Sequence, residues 1–216
     1  YEDHSVWKSD LKQAIRLGAE HISSYCLTIE PKTAFGKWVE KGHMPEIDED
    51  FAAEQFEILL DTMNKYGYDQ YEISNFAQPG YESKHNSSYW KDEKYLGIGP
   101  SAHSYNGRFR KANVANNAKY LKGLSENQIP FEVITLSKED QVNEYILTSL
   151  RTKWGCSLDL LKQKYGVDLL MQHRDYLNKI SLQDLIYEED EHLILTNAGK
   201  LLADKLASDL FIYTED

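Results

Sequence analysis

The residues with the most chemical capacity cluster near the middle of the chain. His85, Asn86, Ser87, Ser88, Tyr89 and Trp90 place an imidazole beside two large rings. An imidazole can ligate a transition-metal ion, and flat apolar rings offer packing surface to a planar ligand. The same six residues have a structural reading, in which Tyr89 and Trp90 pin a loop and His85 satisfies a backbone group. His103, set among Gly97, Gly99, Ser101 and Ser104, is a second imidazole that could face a binding site or close a tight turn. Two cysteines, Cys26 and Cys156, lie far apart in unlike contexts, as reduced structural thiols do. The acidic runs 46–50 and 188–191 lack calcium-loop spacing and read as a helix N-terminus and a solvated hairpin tip.

Elements must position these groups. Ser5 is expected to cap a helix with Trp7, Leu11, Ala14 and Ile15 on one face and a stop at Gly18. A strand over 21–29 follows, then a helix opened by Asp48 and ending at Tyr66-Gly67, then a strand over 68–74. Strands alternating with helices at this spacing predict parallel βα units. Only two such units are visible, so the first half reads as part of an α/β domain. The stretch 75–94 reads as a long polar and aromatic loop, and 95–105 as a strand-like run in which Gly97 and Gly99 bring the backbone close to something.

Beyond about Asn113 the character becomes α-rich. Helices are predicted over 117–124, over Lys138–Leu150 behind a Ser137 cap, over Leu158–Tyr165 and over 169–180. A hairpin over 185–195 and a last helix capped by Thr196 complete a pattern like a winged helix. The domains expected are 1–112, the C-terminal part of a barrel, 113–136, a connection, and 137–216, a small C-terminal domain.

The net charge of −11 argues against a nucleic-acid partner, and the last helix offsets Lys200 and Lys205 with Asp204 and Asp209, against a DNA-binding role. No apolar run approaches the roughly 20 residues of a membrane span, and the acidic start is unlike a secretory signal, so a cytoplasmic setting is expected.

Three stretches, SYCLTIEP (24–31), YEISNFAQPGYESKHNSSYW (71–90) and YLGIGPSAHS (95–104), together with LTNAGKLLADKLASDLF (195–211), resemble the oxygen-independent coproporphyrinogen III oxidase-like radical S-adenosylmethionine family. The order matches over nearly the whole chain. His85-Asn86-Ser87-Ser88-Tyr89-Trp90 fits the HNxxYW pattern of the haem-chaperone, HemW-like branch. The resemblance implies the C-terminal part of a TIM-like, partial βα barrel followed by a winged-helix-like domain. It implies a [4Fe–4S] cluster and S-adenosylmethionine in the intact protein, with Leu27, Thr28, Ile73, Gly97 and Gly99 flanking S-adenosylmethionine.

The family's CxxxCxxC cluster motif is absent from this chain, so no cluster is expected on it. The resemblance further implies haem or porphyrin at His85, Asn86, Tyr89, Trp90 and His103, with His85 as iron ligand, and haem-receiving proteins as partners. The alternative activity is oxidative decarboxylation of coproporphyrinogen III to protoporphyrinogen IX. A chain cut from a larger sheet is also expected to self-associate through an uncovered strand edge.

Overall fold

The computed structural model describes residues 3–91 and 93–213. The chain forms two compact units, 1–83 and 84–216. The first holds α1 (Ser5–Arg16), β1 (His21–Ser23), α2 (Ala34–Glu40), α3 (Glu49–Lys65), β2 (Asp69–Glu72) and β3 (Asn75–Ala77). The apolar stripe of α1 delivers Leu11 to a core of Leu59, Met63, Tyr68 and Phe76, with Trp7, Ile15 and Ile22 packed on it. Asp48 caps α3 by accepting from the Phe51 N–H, as its sequence position implies. The cap of α1 differs from expectation. His4 holds the cap position without a side-chain capping bond, and the Asp3 carboxylate accepts the Ser5 N–H.

The sheet order is β1-β3-β2, with β3 antiparallel to both neighbours. β1 and β2 therefore run the same way, as βα alternation requires, but β3 sits between them. The expected strand 21–29 ends at Ser23, and 24–30 is irregular. Its apolar residues Tyr25 and Leu27 stay exposed, so among the described residues this β-rich composition has no partner strand. The expected strand 68–74 stops at Glu72, whose buried carboxylate accepts from the Ser74 N–H at 3.0 Å and from the Asn75 amide. Those bonds turn the chain into β3.

The second unit begins with α4 (Lys84–Trp90), β4 (His103–Tyr105), β5 (Phe109–Asn113), α5 (Asn117–Ser125) and β6 (Phe131–Thr135). It continues with α6 (Lys138–Leu150), β7 (Cys156–Ser157), α7 (Leu158–Tyr165), α8 (Leu169–Gln172), α9 (Arg174–Leu182), β8 (Ile186–Glu189), β9 (His192–Leu195), α10 (Asn197–Leu201) and α11 (Ala203–Asp209). Its sheets are β4-β5-β6 and β7-β9-β8. The presumed loop 75–94 is thus partly β3 and α4. A seven-residue helix with two large apolar residues at adjacent positions is too short to display a period. The segment 113–136, expected only to connect, supplies β6, paired along its length with β5.

Ser137 and Asp140 form a reciprocal capping box that starts α6. Gly166, at φ 65°, stops α7 in the left-handed region. Asp190 and Glu191 both have positive φ, and Glu189 faces His192, so β8 and β9 are joined by a two-residue turn of the I′ kind. The helix expected over 169–180 breaks at His173, and the last helix breaks at Leu202. Val142, Ile146 and Leu150 of α6 are fully buried, as are Cys156, Leu161 and Leu210, so α6 is the central strut of this unit. Among the described residues no helix is long and apolar enough to cross a membrane.

Candidate functional site

The helical form of α4 decides what the HNSSYW residues can do. His85 and Tyr89 are one turn apart, so their rings share a face. They meet edge to face at 5.1 Å, and the Tyr89 hydroxyl lies 3.3 Å from His85 Nε2. Both residues are exposed, Tyr89 at 42%. Tyr89 also meets Tyr95 at 4.8 Å, and Tyr95 lies 6.1 Å from the buried Tyr105. Backbone bonds in both directions between Tyr95 and Tyr105, each 2.9 Å, hold that step of the aromatic ladder.

Behind the ladder, Arg110 donates two bonds to the Glu144 carboxylate, at 2.7 and 2.8 Å. This fork joins β5 to α6. Tyr89, Trp90, Tyr105, Arg110, Glu144 and Tyr145 line a narrow cavity of about 40 Å³. That volume admits a water molecule and excludes a porphyrin. Trp90 is half-buried against this cavity, so Tyr89 and not Trp90 shares the exposed face with His85. Among the described residues, the Trp90 indole N–H and Arg110 Nε are buried without a protein acceptor. Asn86 is half-buried on the same helix.

His103 is exposed at the start of β4, and its backbone lies where a Cβ on Gly97 would collide with it. Gly97 therefore permits a close backbone approach, the purpose its position suggested. The Gly97 N–H donates to Ser104 Oγ and the Gly99 N–H to the Tyr120 hydroxyl, both at 3.0 Å. Asn113 Nδ2 donates to the Gly99 carbonyl at 3.0 Å. The polar backbone of both glycines is thus largely engaged within the unit.

Leu27 and Thr28 are exposed in the irregular segment after β1, and Ile73 lies in the β2–β3 turn with its carbonyl accepting from Gln70. These three belong to the first unit, Gly97 and Gly99 to the second. The thiols do not fit a cluster. Two cysteines cannot supply three thiolates, and Cys156 is fully buried with its pKa pushed up to about 12, chiefly by burial. His4 bonds Glu54 at 2.7 Å and stacks on Phe51.

Sequence reasoning missed Tyr95, Tyr105 and the Arg110–Glu144 fork. The tyrosines were visible as aromatic content, but nothing local signals a pair 34 residues apart.

Residues 136–202 match the HemN C-terminal domain. The Bacillus subtilis protein named haem chaperone HemW is 37% identical over 207 residues, 94% of this chain and 53% of that protein. The chain is similar over most of its own length to proteins named haem chaperone HemW, and it carries a match to the HemN C-terminal domain.

The Lactococcus lactis haem chaperone HemW is 33% identical, over 89% of this chain and 50% of its own length. The HemW-like chain spans about half the length of these relatives. The Escherichia coli coproporphyrinogen III oxidase HemN, described as a radical SAM enzyme, superposes with a TM-score of 0.71 over 96% of this chain and 51% of that one, at 15% identity. That likeness speaks to the fold, and it bears out the α/β reading with a radical SAM-type first part and a HemN-type C-terminal domain. The family resemblance carried by SYCLTIEP, YEISNFAQPGYESKHNSSYW and YLGIGPSAHS is likewise borne out.

Proposed function

We propose that the intact protein binds haem at the α4 face and passes it to a receiving protein. The observation that carries this reading is the edge-to-face His85–Tyr89 pair on the exposed face of α4, in a chain similar to proteins named haem chaperones. Haem here is cargo. The His85 imidazole supplies the axial nitrogen, and the Tyr89 ring supplies flat surface beside it. Trp90 holds α4 against the cavity next to α6 and so fixes the angle at which His85 is presented. In this reading S-adenosylmethionine and the cluster belong to the intact protein, and the protein works in the cytoplasm.

Haem titration followed by absorbance tests it. Wild type is expected to show a shifted Soret band that His85→Ala loses and His103→Ala keeps. Because the Tyr89 hydroxyl contacts Nε2, Tyr89→Phe relieves a competing hydrogen bond and is expected to tighten ligation about threefold to tenfold. An unchanged spectrum and affinity in His85→Ala would remove the residue-level basis of the proposal.

A further inference from the structure

The chain is strongly acidic overall, yet 84–124 carries eight Lys and Arg against two Asp and Glu. Some of these cations have work within the fold. Arg110 is held by Glu144, Lys111 lies over the Phe131 ring at 3.9 Å, and Lys122 pairs with Glu126. Lys84, Lys91, Lys94 and Arg108 are exposed. Lys91 directly follows Trp90 at the end of α4, and its ammonium lies 5.3 Å from the ring centre of Trp154. Lys153 approaches the same ring at 5.7 Å. Trp154 is 38% exposed, in the turn between α6 and β7. Two ammonium groups and an indole face thus meet at the end of the helix that presents His85.

Cations grouped on one aromatic face suit a ligand that is flat and anionic along one edge. We infer that Lys91, with Lys153 across the Trp154 ring, recognises the carboxylates of a planar tetrapyrrole, so that this site reads the acidic edge of the ligand whose iron His85 holds. The inference rests on the haem reading above and adds a specificity element to it. Charge recognition of this sort discriminates between a free dicarboxylate and its ester, which present the same ring and the same iron.

The test compares haem with haem dimethyl ester on the whole chain. Each exposed ammonium–carboxylate contact contributes modestly, so wild type is expected to bind haem about tenfold more tightly than the ester, and added salt should narrow that gap. Replacing both lysines, Lys91→Gln with Lys153→Gln, should bring haem down to the affinity of the ester and leave the ester unchanged, while Lys91→Arg with Lys153→Arg should restore the preference. The comparison within wild type does not depend on any variant folding. Equal affinity for the two ligands in wild type overturns the inference and leaves the haem reading standing. So does an equal loss for both ligands in the glutamine variant. If wild type binds neither ligand, the haem reading falls and this inference falls with it.

Discussion

Raising the pH from about 9 to about 12 is expected to destabilise the second unit by several kcal/mol, with Cys156 the main cause. The Cys156 thiol is fully buried, and burial pushes its pKa from 9.0 up to about 12. Tyr145, whose hydroxyl accepts the Ser157 N–H at 3.0 Å, is pushed from 10.0 up to about 12 by burial first and then by the neighbouring Cys156. Both groups are neutral when protonated, and the folded chain holds their protons more tightly than the unfolded chain does. The stability they confer is therefore complete below the unfolded values near 9 and 10 and is lost as the pH climbs towards 12. For Cys156 alone this is on the order of 4 kcal/mol.

Urea unfolding followed by circular dichroism across that window would measure it. In Cys156→Ala the fall should shrink to the part due to Tyr145, at the cost of some packing energy at neutral pH. A wild type whose stability stays flat to about pH 12, or an alanine variant with an undiminished fall, would contradict the assignment. Under native conditions at neutral pH the exposed Cys26 should react with a thiol reagent while Cys156 does not.

The elements legible in the sequence are those whose signals are local. Ser137 followed by Lys138–Leu150 announces its own start, and the helix runs over those residues. The helix expected over Leu158–Tyr165 runs over those residues, with Ser157 accepting from the Leu160 N–H before it and Gly166 in the left-handed region after it. The hairpin at Asp190-Glu191 was recognisable from flanking apolar residues, although acidic residues carry its left-handed turn.

What failed depended on partners distant in sequence. Tyr25 and Leu27 have strand composition but, among the described residues, no partner strand, whereas β6 was overlooked because its pairing with β5 is a tertiary fact. The site divides the same way. The HNSSYW stretch was legible as a motif, and its i,i+4 geometry became visible only once α4 proved helical. The Arg110–Glu144 fork and the Lys91–Trp154 contact join residues 34 and 63 positions apart, and no periodicity encodes such pairs.

The two faces of α6 should respond very differently to substitution, and this separates packing from site chemistry. Ile146 and Val142 are fully buried on one face, where α6 meets α7, α11, β7 and β9. Glu144 and Tyr145 line the small cavity beside Tyr89 and Trp90, and Glu144 holds Arg110 there with side chains about a third exposed. Ile146→Ala removes buried carbon from the centre of the unit and leaves a cavity, so it is expected to cost about 2–5 kcal/mol. For a unit of this size that lowers the melting temperature by roughly 10 °C or more.

Glu144→Gln weakens a partly solvated ion pair and should cost no more than about 1 kcal/mol, because water screens the charges. Its effect belongs instead at the ladder, since Arg110 lies 5.9 Å from the Tyr105 ring. Thermal unfolding of the two variants, together with the haem titration, separates these roles. Ile146→Ala should lose stability yet keep the Soret band at temperatures where it is folded, because Ile146 contributes nothing to the α4 face. Equal melting temperatures for the two variants would mean that α6 is not the strut its burial implies, and that Arg110–Glu144 carries the packing of this unit.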